Sequence, residues 1–136
     1  MPMTRSTLVL ALALAGAAGA AAAQGLTGHW SGVVVQTGPG GRTGSYVASL
    51  ELAGPTGTMD YPTLECGGDV ALVGKEGAAL VYRETITHGQ GCLAGGAITV
   101  KPSGPASVLW SWSGPGVTVR GRLYRIAAPR AAASSR

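Results

Sequence analysis

"VLWSWSGPGVTVRGRLYR", residues 108–125, holds two alternating runs on either side of one turn signal. In the first run Val108, Trp110 and Trp112 share a face of an extended chain. In the second, Val117, Val119, Gly121 and Leu123 face one way, while Arg120, Arg122 and Tyr124 face the other. Successive side chains of a strand point to opposite faces, so each run has one apolar side. Gly114-Pro115 between them breaks regular structure and starts a turn. An apolar face opposite a polar one is the mark of an antiparallel sheet covered on a single side.

The same pattern extends back through the chain. In "SYVASLELA" Tyr46, Ala48, Leu50 and Leu52 line up, with Val47, Ser49 and Glu51 opposite. In "ALVYRETITH" Leu80, Tyr82, Glu84 and Ile86 share a face against Val81, Arg83 and Thr85. Gly38-Pro39, Gly54-Pro55 and Gly104-Pro105 repeat the turn signal. Strands are expected near 29–37, 44–53, 56–61, 68–74, 78–88, 96–101, 107–113 and 116–126. No helical period of any length interrupts them. The fold class is all-β. About eight strands on short connections suit an antiparallel up-and-down barrel, which closes its own edges, and a β-sandwich is the alternative.

The chain has 136 residues, enough for one small domain. It opens "MPMTRSTLVLALALAGAAGAAAAQG", in which Arg5 precedes an apolar core from Leu8 to Leu14, and Ala21 and Ala23 fit a small-x-small cleavage rule. Residues 1–23 read as a secretory signal peptide cleaved after Ala23. Residues 24–126 are then a single barrel domain and residues 127–136 a disordered basic tail. A secreted or periplasmic monomer with no membrane span in its mature form is expected. Phe and Asn are absent, and the second absence excludes N-glycosylation. Arg120, Arg122, Arg125, Arg130 and Arg136 gather at one end with no acid among them, while the body before them is mildly acidic. A nucleic-acid binder spreads basic residues among exposed aromatics over a broad face, so a solvated strand face and tail is the better account.

Cys66 and Cys92 are the only cysteines. Neither belongs to a C-x-x-C, and His29 and His88 form no metal-binding pattern with each other, so no metal and no cofactor are expected. A thiol nucleophile needs a base nearby, and only His88 is close in sequence. In a secreted chain the pair reads as a disulfide. No G-x-S-x-G appears, and no facing carboxylates are evident among Asp60, Glu65, Asp69 and Glu84. No catalytic residues, and no enzyme, are expected.

Glu84 stands out because its strand pattern aims a carboxylate at the apolar face. A buried carboxylate must be paired or protonated. It is a ligand contact in a barrel mouth, or else it sits at the barrel rim or pairs with a neighbouring arginine. Trp110, Trp112, Tyr46, Tyr61 and Tyr82 either line a pocket for a ring-bearing ligand or glycan or fill the core. The candidate ligand-binding set is Glu84, Tyr82, Trp110, Trp112, Tyr46 and Arg122.

"YPTLECGGDVALV", "VYRETITHGQGC", "GGAITV" and "LWSWSGPGVTVRGRLYR" resemble, in that order, a small secreted bacterial domain. Versions of that domain stand alone behind a signal peptide, and others form the extracytoplasmic, sensor-like end of actinobacterial serine/threonine kinases. The likeness spans roughly residues 28–125, and its most specific blocks are Y-P-x-L-x-C-G-G and R-E-x-I. It implies a sensing or binding module and names no ligand. The first functional expectation is a secreted, disulfide-stapled barrel that binds a small molecule or cell-envelope fragment. This chain has no kinase segment, so a signalling role does not carry over. A looser likeness joins Gly28-His29-Trp30 to the G-x-W that opens calycin barrels. That likeness implies that Trp30 closes one barrel end under an arginine of the last strand, with Arg120, Arg122 and Arg125 as candidates and cation–π stacking as the reason. The other functional expectation is a protein-interaction module, such as an inhibitor of a secreted hydrolase, acting through "TGPGGRTG" or "THGQGCLAGG".

Overall fold

The computed structural model describes residue 19 and residues 21–127. Most of the expected leader and nearly all of the expected tail lie outside the described residues. Eight strands follow in order: β1 (Gly28–Thr37), β2 (Thr43–Ala53), β3 (Thr56–Tyr61), β4 (Cys66–Glu76), β5 (Ala79–His88), β6 (Ala97–Pro102), β7 (Ser107–Gly114) and β8 (Val117–Ile126). Each pairs antiparallel with the next, and β8 returns to β1 to close the barrel. The closure rules out the sandwich. Short 3-10 turns at Pro39–Gly41 and Pro62–Leu64 join β1 to β2 and β3 to β4.

The alternation read along the chain is the alternation of burial. Ala48, Leu50 and Leu52 of β2, Val108, Trp110 and Trp112 of β7, and Val117, Val119 and Leu123 of β8 are all buried. Arg120, Arg122 and Tyr124 face solvent, as the period of two requires. With no Phe available, Trp30, Trp110 and Tyr82 are the largest of the fully buried side chains, and Trp112 and Tyr61 are nearly as deep. Each fully buried Leu, Ile, Val or Met adds about 1.5–3 kcal/mol.

Strand direction separates the two ends. At one end lie the start of β1, the 54–55 and 77–78 turns and the end of β8. Trp30 plugs this end: it is 2 % exposed, and its indole N–H donates to the Leu26 carbonyl at 2.9 Å. The Arg125 guanidinium lies 4.2 Å from the Trp30 ring centroid and donates to the Thr27 carbonyl at 2.9 Å. Of the three arginines weighed from the sequence, Arg125 takes this place. A side chain at position 28 would meet that guanidinium, with Arg125 Nη1 2.7 Å from the Cβ, and the backbone there has φ +140°, so the glycine of G-x-W gives the arginine room. Residues 21–25 are helical, and Ala23 and Leu26 are buried against the same end. The opposite end holds the 38–42, 62–65, 89–96 and 115–116 connections, and the candidate site lies there.

Candidate functional site at the Glu84 end of the barrel

Glu84 stands on β5 between Tyr82 and Ile86 and points inward. It is 4 % exposed and one of two buried polar or charged side chains among the described residues. Tyr61, the last residue of β3, donates its hydroxyl to Glu84 Oε2 at 2.6 Å. Trp112 of β7 donates its indole N–H to Glu84 Oε1 at 3.0 Å. No lysine, arginine or histidine among the described residues forms an ion pair with it; the pairs present are His29–Glu51 and His88–Asp60, each at 3.7 Å. Pairing of Glu84 with a neighbouring arginine is therefore not what the barrel contains.

Two neutral donors hold this carboxylate where a cation would be the usual partner. Burial pushes the Glu84 carboxyl above the ordinary glutamate range, and the hydrogen bonds from Tyr61 and Trp112 pull partly against that rise. Burial, then the Glu84 charge, raise Tyr46. Burial, the Glu84 charge, the hydrogen bond to it and Tyr46 raise Tyr61 far above the tyrosine range. Both phenols keep their protons at neutral pH.

Around the carboxylate lies a recess of about 70 Å³, with Gln36, Tyr46, Tyr61, Leu64, Cys92, Leu93, Trp112 and Val119 in its wall. Tyr46 donates to Gln36 Oε1 at 2.9 Å, and its ring meets that of Tyr61 edge-on, centroids 6.0 Å apart. Two wider cavities, of about 630 and 420 Å³, lie beside β5 and across β2–β4, and the first also reaches Tyr82, Arg83 and Glu84. In the smaller recess Gln36, Tyr46, Tyr61 and Trp112 gather around the Glu84 carboxylate.

The wall is braced from both sides. Cys66 at the start of β4 is bonded to Cys92 in the 89–96 loop, with Cα atoms 5.8 Å apart, which ties that loop over the barrel mouth. Cys66 is the staple expected from the sequence. Gly96 lies directly against the Trp112 indole, and a Cβ there would collide with Cε2 and Nε1. The loop backbone thus fixes the plane of the ring that holds Glu84, and the Glu84 N–H bonds the Gly96 carbonyl at 3.3 Å.

Three of the six candidates from the sequence, Glu84, Trp112 and Tyr46, come together here. Trp110 lies two residues nearer the plugged end on β7. Its ring is 6.3 Å from that of Tyr61, and its indole N–H has no acceptor among the described residues. Tyr82 is buried too, but its hydroxyl approaches the Gly54 carbonyl, at 3.5 Å, in the plugged end. Arg122 is on the outer wall, bonded to Ser103 Oγ at 2.7 Å and Ser107 Oγ at 3.3 Å; the polar face of β8 points away from the interior. The sequence-based set omitted Tyr61 and Gln36. Gln36 had a legible signal, because Trp30, Gly32, Val34 and Gln36 share one face of β1 and a polar residue ends that row.

Among the described residues, no three side chains of His, Cys, Asp or Glu converge. Compared with protein-family models and with curated proteins, the chain matches none.

Proposed function

We propose that this protein is a secreted, non-catalytic binding module whose ligand site is the recess at Glu84. One observation carries this: a carboxylate buried to 4 % exposure, with each oxygen held by a neutral donor and no basic partner among the described residues. Burying such a group costs stability, and an apolar residue of similar volume would pack there more favourably. Strongly perturbed titrating groups in a recess are candidates for function on that ground. The resemblance to extracytoplasmic sensor-like domains supports the same role. The leader expected over residues 1–23 and the Cys66–Cys92 bond support export to an oxidising compartment.

The test is to recover wild-type protein and Glu84→Gln after secretion by the native host, then compare the small molecules each releases on denaturation. A compound released by the wild type and missing from a folded Glu84→Gln is the expected result. Identical extracts from two folded proteins would remove the recess as a ligand site.

One observation favours a protein partner instead. Leu93 is 54 % exposed on the disulfide-braced 89–96 loop, which suits a rigid contact such as an inhibitor presents. On that account the extracts match, and Leu93→Asp abolishes binding to the partner.

A further inference from the structure

Counting hydrogens in the wall narrows the chemistry of the ligand; the inference rests on the recess being a binding site. The Tyr61 hydroxyl hydrogen is spent on Glu84 Oε2, the Trp112 indole hydrogen on Glu84 Oε1, and the Tyr46 hydroxyl hydrogen on Gln36 Oε1. Lone pairs remain: on both Glu84 oxygens, on the two phenol oxygens and on Gln36 Oε1. The Gln36 amide nitrogen is the one uncommitted donor of this group. A wall so rich in acceptors selects a ligand rich in donors. Ionised Glu84 and the faces of Tyr46, Tyr61 and Trp112 favour positive charge as well. A recess of about 70 Å³ is well below the roughly 300–1,000 Å³ that encloses a drug-sized molecule, so it takes a head group.

We propose that this recess binds the primary ammonium head of a small amine, with Glu84 as counter-ion and Tyr46, Tyr61 and Trp112 as the aromatic wall. Three N–H donors on a compact cation match the acceptors and the size. A quaternary ammonium has the charge but no N–H, and would leave the buried acceptors without partners. A divalent metal would want several carboxylate or carbonyl oxygens, and no cluster of three His, Cys, Asp or Glu side chains lies among the described residues.

The experiment is a titration of the full secreted protein at neutral pH with n-butylammonium, 1-butanol, butyrate and tetramethylammonium. The readout is the Trp112 indole N–H resonance, assigned with Trp112→Phe. The expected result is a saturable shift with n-butylammonium, and binding about tenfold weaker or more for the other three probes and for Glu84→Gln. If Glu84→Gln does not fold, Tyr46→Phe takes its place, and weaker n-butylammonium binding is expected from the lost acceptor. Saturable binding of 1-butanol or butyrate without n-butylammonium would overturn the amine assignment and leave the recess as a binding site. Equal binding of tetramethylammonium, or n-butylammonium binding unchanged in both variants, would also overturn it. No response to any probe would overturn the amine assignment, and the host-extract comparison would then decide whether the recess binds anything.

Discussion

Removing the Cys66–Cys92 bond is expected to lower stability by an amount that follows from the loop it closes. The two residues are 26 apart in sequence. The chain-entropy relation for a loop of that length gives about 12 cal/mol/K, or about 3.5 kcal/mol near room temperature. With unfolding entropy of about 2.1 cal/mol/K per residue over roughly 100 ordered residues, the same energy corresponds to a Tm loss of roughly 17 °C. Differential scanning calorimetry of Cys66→Ala/Cys92→Ala, beside wild type with and without reductant, measures it. Alanine is the better replacement because Cys66 is 1 % exposed, where a serine hydroxyl would need a new partner. The reduced wild type and the double variant are expected to agree closely, since both lack only the cross-link. A Tm loss under about 5 °C with the barrel intact would be incompatible with a chain-entropy effect of this size. It would mean that pairing of β4 with β5 already confines the loop in the unfolded chain.

Three further outcomes follow from particular contacts. Because Glu84 holds its proton more tightly in the barrel than in the unfolded chain, the folded state carries the extra proton. Its contribution is full below the ordinary glutamate pKa of about 4.3 and is lost as pH rises through the raised value; urea midpoints across that range should show the decline in wild type and not in Glu84→Gln, and parallel curves would contradict it. Arg125→Ala removes the guanidinium 4.2 Å from the Trp30 centroid and should cost about 1 kcal/mol or more in chemical unfolding, whereas Arg122→Ala on the outer wall should cost under about 0.5 kcal/mol. Gly96→Ala drives a methyl into the Trp112 ring and should cost about 1–3 kcal/mol while shifting the Trp112 indole N–H; an unmoved resonance would show that the ring is not held there.

Much of this barrel was legible because period-two alternation and Gly-Pro turns are local signals. The eight expected runs overlap the eight strands, and Glu84 was placed on the inner face by its neighbours Tyr82 and Ile86. Closure was not legible in the same way. Pairing of β1 with β8, such as Trp30 opposite Arg125, joins residues nearly a full chain apart, and alternation is equally compatible with a sandwich. Alternation also reports the face of a residue and not its depth along the barrel. Tyr82 and Glu84 are successive inward residues of one strand, yet the first reaches toward the plugged end and the second lines the mouth. Arg122 lies on the outer wall, the face that the alternation of β8 assigns to it. Tyr61 ends its strand beside a 3-10 turn, where the period gives little guidance about which way a hydroxyl reaches.

The ionisation of Glu84 itself reports whether this buried carboxylate takes a positively charged partner, as we propose. Carbon-13 NMR of the Glu84 side-chain carboxyl, followed through a pH titration with and without n-butylammonium, measures it. The expected result is a midpoint above the ordinary glutamate range in the free protein, moving down when the amine is present. An ordinary midpoint that the amine leaves unchanged would overturn the amine site.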